Sequence, residues 1–111
     1  MIINFNDMSE TVIKNFKGGE LEISAKMFVD DKNRILLGKL IPGATIGLHT
    51  HETNSEIIYI LSGKGKILYE GEYFELFKGM CHYCKIGKSH SLINDSDADL
   101  VFFAVIPEQN P

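Results

Sequence analysis

The stretch from Gly43 to Gly63, GATIGLHTHETNSEIIYILSG, contains the group of residues on which the interpretation of this chain depends. It places His49 and His51 one residue apart and Glu56 five residues further on. Because side chains alternate between the two faces of a strand, the two imidazoles would point the same way, about 6.5 to 7 Å apart. Two imidazoles and a carboxylate are typical metal ligands, although such a pair can also be two surface or hydrogen-bonded histidines.

The length and composition predict one folded domain. A chain of 111 residues can bury a core, and 44% hydrophobic residues with three prolines argue against disorder. We therefore predict a single domain over residues 1–111, with residues 1–19 as an N-terminal arm. The formal charge of -4 is scattered and no basic run is present, so we expect no nucleic-acid partner.

The apolar segments predict no association with a membrane. The longest apolar run near the end, Leu100 to Pro107, has the length of a strand, whereas a spanning helix needs about 20 apolar residues. The first ten residues, MIINFNDMSE, lack the basic start, apolar centre and cleavage site of a signal peptide. We therefore expect a cytoplasmic protein.

Short apolar segments separated by turn residues indicate an all-β fold. The segments recur at intervals of about ten residues, and no long helical pattern interrupts them. A sandwich or barrel is the architecture that such a pattern favours. The predicted strands cover residues 20–27, 35–41, 56–61, 64–69, 72–77, 81–86, 90–93 and 100–106.

Two further histidines could join the pair in the opening stretch. A rolled sheet brings distant strands face to face, so a histidine on a later strand can reach the same interior. His90 is the better candidate because it follows the turn Gly87-Lys88-Ser89. His82 follows Cys81 without such a turn and is the less favoured of the two.

Cys81 and Cys84 form a CxxC pair that we do not interpret as a disulfide or a zinc site. In an extended segment these positions face opposite sides and lie about 10 Å apart, which is too far for a disulfide. No second CxxC is present in the sequence to complete a structural zinc site. Only a turn between the two cysteines would bring their sulfur atoms together.

With these residues in place, the chain resembles the cupin family. Gly43, His49, His51, Glu56 and Gly63 reproduce the first cupin motif, which is Gly, five residues, His, one, His, four, Glu, six, Gly. The second motif is Gly, five residues, Pro, one, Gly, two, His, three, Asn. Its positions are occupied here by Gly79, Gly87, His90 and Asn94, whereas Lys85 stands at the proline position.

The resemblance implies a jelly-roll barrel with one divalent metal in its interior. Carried over by position, His49, His51, Glu56 and His90 would be the ligands, and Asn94 would hydrogen-bond a loop. Three imidazoles and one carboxylate suit iron, manganese, nickel, zinc, copper or cobalt and leave positions for water or substrate. The flexible Lys85 could point into the pocket and bind an anion, or it could be solvated.

The resemblance also implies a function without selecting one reaction. The leading hypothesis is a metal-dependent enzyme that acts on a small organic molecule, with dioxygenase chemistry or isomerase, decarboxylase or lyase chemistry. Glu56 could then act as a base, and His82 or Tyr83 could act as an acid if they face inward. The alternatives are a non-catalytic cupin that binds a small ligand such as a sugar, or histidines that are ordinary interior residues.

Two structural expectations complete the interpretation. His82 and Cys84 share one strand face, and if that face is the inner one they would lie beside the metal. The apolar start of the chain, with Ile2, Ile3 and Phe5, could add a strand to a partner. The family resemblance likewise points to a homodimer.

Overall fold

Alternating apolar and polar residues produce a series of short strands joined by tight turns. The computed structural model describes residues 1–109, which form ten strands and two short 3₁₀ turns, at Phe5–Asp7 and Phe16–Gly18. The strands are β1 (Thr11–Lys14), β2 (Glu22–Val29), β3 (Asn33–Leu40), β4 (His49–Thr50), β5 (Glu56–Ser62), β6 (Lys64–Tyr69), β7 (Glu72–Phe77), β8 (Cys81–Cys84), β9 (Ser89–Ile93) and β10 (Leu100–Pro107).

The strands form two antiparallel sheets. The larger sheet has the order β1-β2-β3-β10-β5-β8, and the smaller has the order β4-β9-β6-β7. β10 lies between β3 and β5, so the last strand of the chain closes the middle of the larger sheet. At the hairpin between β5 and β6, Gly63 has a φ of +83°, a conformation that glycine adopts without strain.

Apolar side chains from the inner faces of both sheets form one core. Along β5, for example, Ile58 and Ile60 are buried and the intervening Tyr59 is partly exposed. This alternation is the expected consequence of the two-residue period of a strand. The largest fully buried apolar side chains are Leu40, Ile58, Ile60, Ile67, Leu92, Leu100 and Phe102.

The segment predicted as an N-terminal arm contributes the edge strand β1 to the larger sheet. β1 pairs with β2 from Thr11 to Lys14 and thereby covers the edge of that strand. Further towards the start of the chain, Phe5 packs edge to face on Phe103 of β10, with ring centroids 6.2 Å apart. Met1 and Ile2 remain exposed.

The all-β prediction is confirmed, and each predicted strand has a counterpart within a few residues. The structure adds β1, which lies in the arm, and the two-residue strand β4, which carries His49. Cys81 and Cys84 lie on opposite faces of β8 and are free thiols, as predicted. In residues 1–109 no helix has the length and hydropathy that crossing a bilayer would require.

Candidate metal centre

Four polar side chains converge between the two sheets. β4 and β9 pair so that His49 lies opposite His90, His51 follows β4, and Glu56 begins β5 on the inward face. The Nε2 atom of His90 lies 3.2 Å from His49 Nε2 and 3.0 Å from His51 Nε2. It also lies 2.9 Å from the Oε1 atom of Glu56. These are the four residues that the motif resemblance implies as ligands, and the structure brings them together.

The turn of the second motif holds the first motif in place. The N–H of Gly87 donates to the carbonyl of His51 over 2.6 Å, and the N–H of His51 donates to the carbonyl of Lys88 over 3.0 Å. Gly87 has a φ of +82°, which lets the chain reverse at this point. The reversal places β9 beside β4, and His90 consequently points inward.

Asn94 has the structural role that the resemblance implies. Its side chain is fully buried and donates to the carbonyls of Leu40 and Ala98, each over 2.8 Å. Its Oδ1 accepts a hydrogen bond from the N–H of Ser96 over 3.0 Å. Asn94 therefore holds the loop after β9.

Each of the three histidines has a partner for its second ring nitrogen. His49 Nδ1 donates to the carbonyl of Gly47 over 2.7 Å, and His51 Nδ1 donates to Asn54 Oδ1 over 2.6 Å. Because a carbonyl oxygen can only accept, these contacts place the proton on Nδ1 and leave the Nε2 lone pair free. The Nδ1 atom of His90 lies 3.0 Å from a fourth imidazole, Nε2 of His82.

In this tautomer the neutral rings of His49 and His51 turn unprotonated nitrogens towards Glu56, whereas a proton taken up on Nε2 of His51 would be donated to the carboxylate. If His90 also carries its proton on Nδ1, which the neighbouring His82 Nε2 allows, three imidazole lone pairs and the Glu56 carboxylate face one another at about 3 Å. Such a cluster is favourable when a cation is bound at its centre. The donor set, three nitrogens and one oxygen, fits a first-row divalent transition metal.

The charges of this cluster follow from its contacts. Burial raises the pKa of Glu56, but hydrogen bonds with His51 and His90 outweigh burial and lower its pKa to about 2. Burial lowers the pKa of His51, whereas its hydrogen bonds with Glu56 and Asn54 raise it by more, so the net shift is upward. Glu56 is consequently a carboxylate at neutral pH, as a metal ligand must be.

Burial dominates at the other two histidines whose pKa is shifted. It lowers the pKa of His49, although the hydrogen bond with Gly47 partly opposes the effect. It also lowers the pKa of His82, to about 4, and the nearby His90 lowers it further. Both rings are therefore neutral at pH 7.

His82 and Cys84 lie on the inner face of β8. They lie beside the ring edge of His90 that carries Nδ1, which is the edge far from the other candidate ligands. Together with His90 they form a second group whose potential ligand atoms lie within 4.8 Å of one another. The Sγ atom of Cys84, however, lies 3.6 Å from the carbonyl of Lys88, to which the thiol donates weakly. Burial, with Glu56 and Glu70 nearby, raises the pKa of Cys84 to about 12, so this sulfur keeps its proton.

A pocket of about 290 Å³ opens next to His49, His51 and Glu56. Its volume is near the lower limit for small-molecule sites in proteins. Half of the residues that line it are apolar, including Phe16 and Phe102. Three charged side chains outside the candidate ligands also line it: Lys17, Arg34 and Glu52. The pocket therefore suits a small molecule that carries charge.

The N-terminal arm supplies part of this wall. The turn Phe16–Gly18 lies on the segment before β4, where Gly47 N–H donates to the carbonyl of Phe16 over 3.0 Å. A Cβ atom at Gly47 would overlap the carbonyl of Lys17, and one at Gly19 would overlap the carbonyl of Thr45. The two glycines thus permit the close approach that brings Lys17 to the pocket. The sequence gives no pattern that indicates this contact.

Two candidates suggested by the sequence face away from the site. Tyr83 is 51% exposed because it lies on the face of β8 opposite His82 and Cys84. The inward orientation on which its role as an acid depended is therefore absent. Lys85 is also exposed, so the solvated alternative holds, and its backbone N–H, which a proline would lack, donates to the Tyr69 hydroxyl over 3.4 Å.

Comparison with known proteins identifies the family. Residues 36–106 match the family model of the cupin domain, and this chain belongs to the cupin family. It is 34% identical over 112 residues to an oxalate-binding protein of Thermotoga maritima, with 96% of this chain and 93% of the relative covered. The resemblance drawn from the two motifs is thus confirmed.

Solved structures agree with this assignment. A crystal structure of a predicted oxalate decarboxylase from Thermotoga maritima has a TM-score of 0.91 and 32% identity, covering 97% of this chain and 99% of that chain. The polyketide cyclase RemF from Streptomyces resistomycificus has a TM-score of 0.81, covering 100% and 82%. At 19% identity, the second structure supports the fold alone.

Proposed function

We propose that this protein binds one divalent transition metal through His49, His51, Glu56 and His90 and uses it to bind and transform a small carboxylate. The observation that carries the metal is the convergence of four acceptor atoms at distances of 2.9 to 3.2 Å. Iron, manganese, nickel, zinc, copper and cobalt all fit this donor set. Four protein ligands leave one or two coordination positions for water or substrate.

A bound metal would supply a Lewis acid or, with a redox-active ion, a centre for electron transfer. The protein's own residues would then have separate tasks. Gly47 and Asn54 hold His49 and His51 in the tautomer that offers Nε2. The apolar side chains of the wall would contact the ligand, and Lys17 and Arg34 supply positive charge at the pocket.

The proposed ligand is a small dicarboxylate such as oxalate. The two cationic side chains of the pocket wall would offset its charge, and Arg34 offers the planar donor pair that suits a carboxylate. The names of the two Thermotoga maritima relatives, an oxalate-binding protein and a predicted oxalate decarboxylase, agree with this choice.

For turnover we propose lyase chemistry, in which a carbon–carbon bond breaks, CO₂ leaves and a proton is added to the remaining carbon. Among the described residues that line the pocket, Glu52 is the one acid outside the candidate ligands. It is better placed to move this proton than Glu56, which the two histidines hold, or than His82, which contacts the far edge of His90.

A non-catalytic protein that binds the same ligand is the second candidate, and the name of the oxalate-binding relative favours it. Turnover decides between the two. Protein purified without chelator or affinity tag is depleted of metal and reloaded with manganese, iron, nickel, copper, zinc or cobalt in turn. Formation of formate and CO₂ from oxalate, lost in Glu52→Gln while oxalate binding persists, would support the enzyme. Binding without product for every metal would support the binding protein.

Calorimetry tests the binding step on its own. We expect oxalate to bind the metal-loaded protein and to bind the metal-free protein at least tenfold more weakly. Acetate, which has one carboxylate, is the matched control ligand and should bind less tightly than oxalate. If the protein takes up none of the six metals, the proposed function is wrong.

We also propose a homodimer and a cytoplasmic location. The outer face of β5 and β8 carries partly exposed Ile57, Tyr59 and Tyr83, which a second copy of the chain could cover. Light scattering should give twice the mass of one chain. A monomer at high concentration would contradict the dimer.

A further inference from the structure

His82 contacts the candidate metal centre through the Nδ1 edge of His90. It comes from β8 of the larger sheet, whereas His90 comes from β9 of the smaller sheet, so the contact between them crosses the interior. His82 Nε2 and His90 Nδ1 are 3.0 Å apart, with ring planes inclined by 34°. Both side chains are buried, with exposed fractions of 8% and 1%.

A histidine that binds a metal through Nε2 keeps its proton on Nδ1, and a buried N–H requires an acceptor. The backbone carbonyl of Gly47 serves His49 in this way, and the amide oxygen of Asn54 serves His51. For His90 the corresponding atom is Nε2 of His82. This nitrogen accepts when His82 carries its own proton on Nδ1.

We propose that His82 is a positioning residue that accepts the Nδ1 proton of His90 and thereby fixes the tautomer and ring plane that direct His90 Nε2 to the metal. This inference rests on the proposed metal site. His82 is held in turn by the Tyr69 ring, which packs edge to face on it with centroids 5.1 Å apart. Cys84 lies beside it as a neutral thiol donor and completes the enclosure.

The alternative role for His82 is that of a ligand in a second metal site with Cys84 and His90. That site would require the Cys84 thiol and the His90 Nδ1–H to lose their protons. The thiol instead donates to the carbonyl of Lys88. If His90 binds the metal through Nε2 and donates its Nδ1–H to His82, no such proton loss is needed. The positioning role therefore accounts for the contacts more simply.

The first test observes the hydrogen bond directly in the Zn²⁺-loaded protein with ¹⁵N-labelled histidine. We expect one Nδ1–H proton whose nitrogen shows a through-hydrogen-bond coupling to the Nε2 atom of a second histidine. The coupling should vanish in His82→Gln, because its acceptor is an oxygen. A purely structural role for His82 would not produce such a coupling, and its absence in folded, Zn²⁺-loaded wild type would overturn the proposal.

The second test measures Zn²⁺ affinity by competition with a chelator. His82→Phe keeps a ring but removes the acceptor, and we expect a loss of about 10- to 100-fold, the range found when the partner of a metal ligand is removed. His82→Gln places an amide oxygen near the former Nε2 position and should restore most of the affinity. Tyr83→Phe, on the exposed face of the same strand, is the control and should leave the affinity unchanged.

The outcomes separate the two proposals. Wild-type protein that does not bind Zn²⁺ would contradict the proposed function itself. Wild type and folded His82→Phe that bind Zn²⁺ equally well would leave the metal site intact and overturn the role of His82. If His82→Phe does not fold, the coupling in wild type and the affinity of His82→Gln decide the matter.

Discussion

His49 and His90 face each other across a strand pair and direct Nε2 to the same point, but their Nδ1 atoms are held in different ways. His49 donates to the carbonyl of Gly47, two residues earlier in the chain. His90 meets a side chain from the other sheet, His82. The orientation of one ligand therefore depends on local backbone, and that of the other depends on how the two sheets pack.

The two surroundings also differ in chemistry. His49 lines the pocket, where a small molecule can enter, whereas the far edge of His90 is enclosed by His82 and Cys84. A backbone carbonyl cannot be protonated at any accessible pH, but an imidazole acceptor can. We call His49, His51 and Glu56 the pocket side of the centre, and His82, Cys84 and the Nδ1 edge of His90 the interior side. We expect the pocket side to control whether metal binds. We expect the interior side to control how tightly it binds.

The largest effect should come from removing ligands on the pocket side. In His49→Ala/His51→Ala two of four donors are lost, and we expect metal binding to weaken by more than the 10- to 100-fold typical of a ligand's partner. Metal content by mass spectrometry measures the loss, and circular dichroism checks that the barrel is folded. Tyr83→Phe, on the outer face, is the control and should retain full occupancy. Full occupancy in the double variant would show that the ligands are misassigned.

A displaced carbonyl acceptor should have the next largest effect. In Gly47→Ala the new methyl group overlaps the carbonyl of Lys17, and the resulting shift costs about 1 to 3 kcal/mol of unfolding free energy. Because Gly47 also holds His49, metal affinity should fall as well. Gly63→Ala, whose methyl group would overlap the carbonyl of Asp99, tests for general destabilisation. It should lower stability in urea without weakening metal binding, and an equal loss of affinity in both variants would contradict the role of Gly47.

Acid should affect the pocket side before the interior side. Protons compete with metal for His51, whose pKa lies above 6.5 because its hydrogen bonds outweigh burial. Metal affinity should therefore fall by about tenfold per pH unit below that pKa for each proton taken up. Calorimetry across this range measures the slope, and a flat profile down to pH 5 would contradict the assignment of His51.

His82 should remain neutral over that range, because burial lowers its pKa to about 4. The unfolded chain takes up a proton at this residue near pH 6.5, so the stability of the metal-free protein should decrease as the pH falls from 6.5 to about 4. Histidine NMR of the metal-free protein follows both events. Protonation of His82 at a higher pH than protonation of His51 would contradict this order.

The smallest effect distinguishes the two thiols. Cys81 is exposed, whereas burial is the main cause that raises the pKa of Cys84 to about 12. Iodoacetamide at pH 8 should modify Cys81 in native protein and modify Cys84 only after unfolding. Peptide mass spectrometry identifies the modified cysteine. Rapid labelling of Cys84 in folded protein would contradict the prediction, because it would show that solvent reaches the interior side.

The four candidate ligands could be identified from the sequence because they lie in short motifs with fixed spacing. His49, His51 and Glu56 occur within eight residues, and the Gly87 turn marks His90. Strand periodicity also predicted that His82 and Cys84 share one face. It could not show which face is the inner one, because that depends on the packing of β8 against the opposite sheet.

The pocket wall was harder to predict, because its parts are distant in sequence. Lys17 reaches the site through the close approach of Gly19 and Gly47, and Arg34 reaches it from the start of β3. Neither belongs to a motif, and the only role predicted for the N-terminal arm was to add a strand to a partner. The candidate metal ligands could thus be predicted from local pattern, whereas the charged residues of the pocket wall depend on tertiary contacts.

Anomalous diffraction from crystals of the Mn²⁺-loaded protein tests the central claim most directly. We predict one manganese peak, bonded to Nε2 of His49, His51 and His90 and to a carboxylate oxygen of Glu56, with the remaining position facing the pocket. His90 Nδ1 should still be within hydrogen-bond distance of His82 Nε2. A peak on His82 and Cys84, ligation through Nδ1, or no bound manganese at any soaking concentration would contradict it.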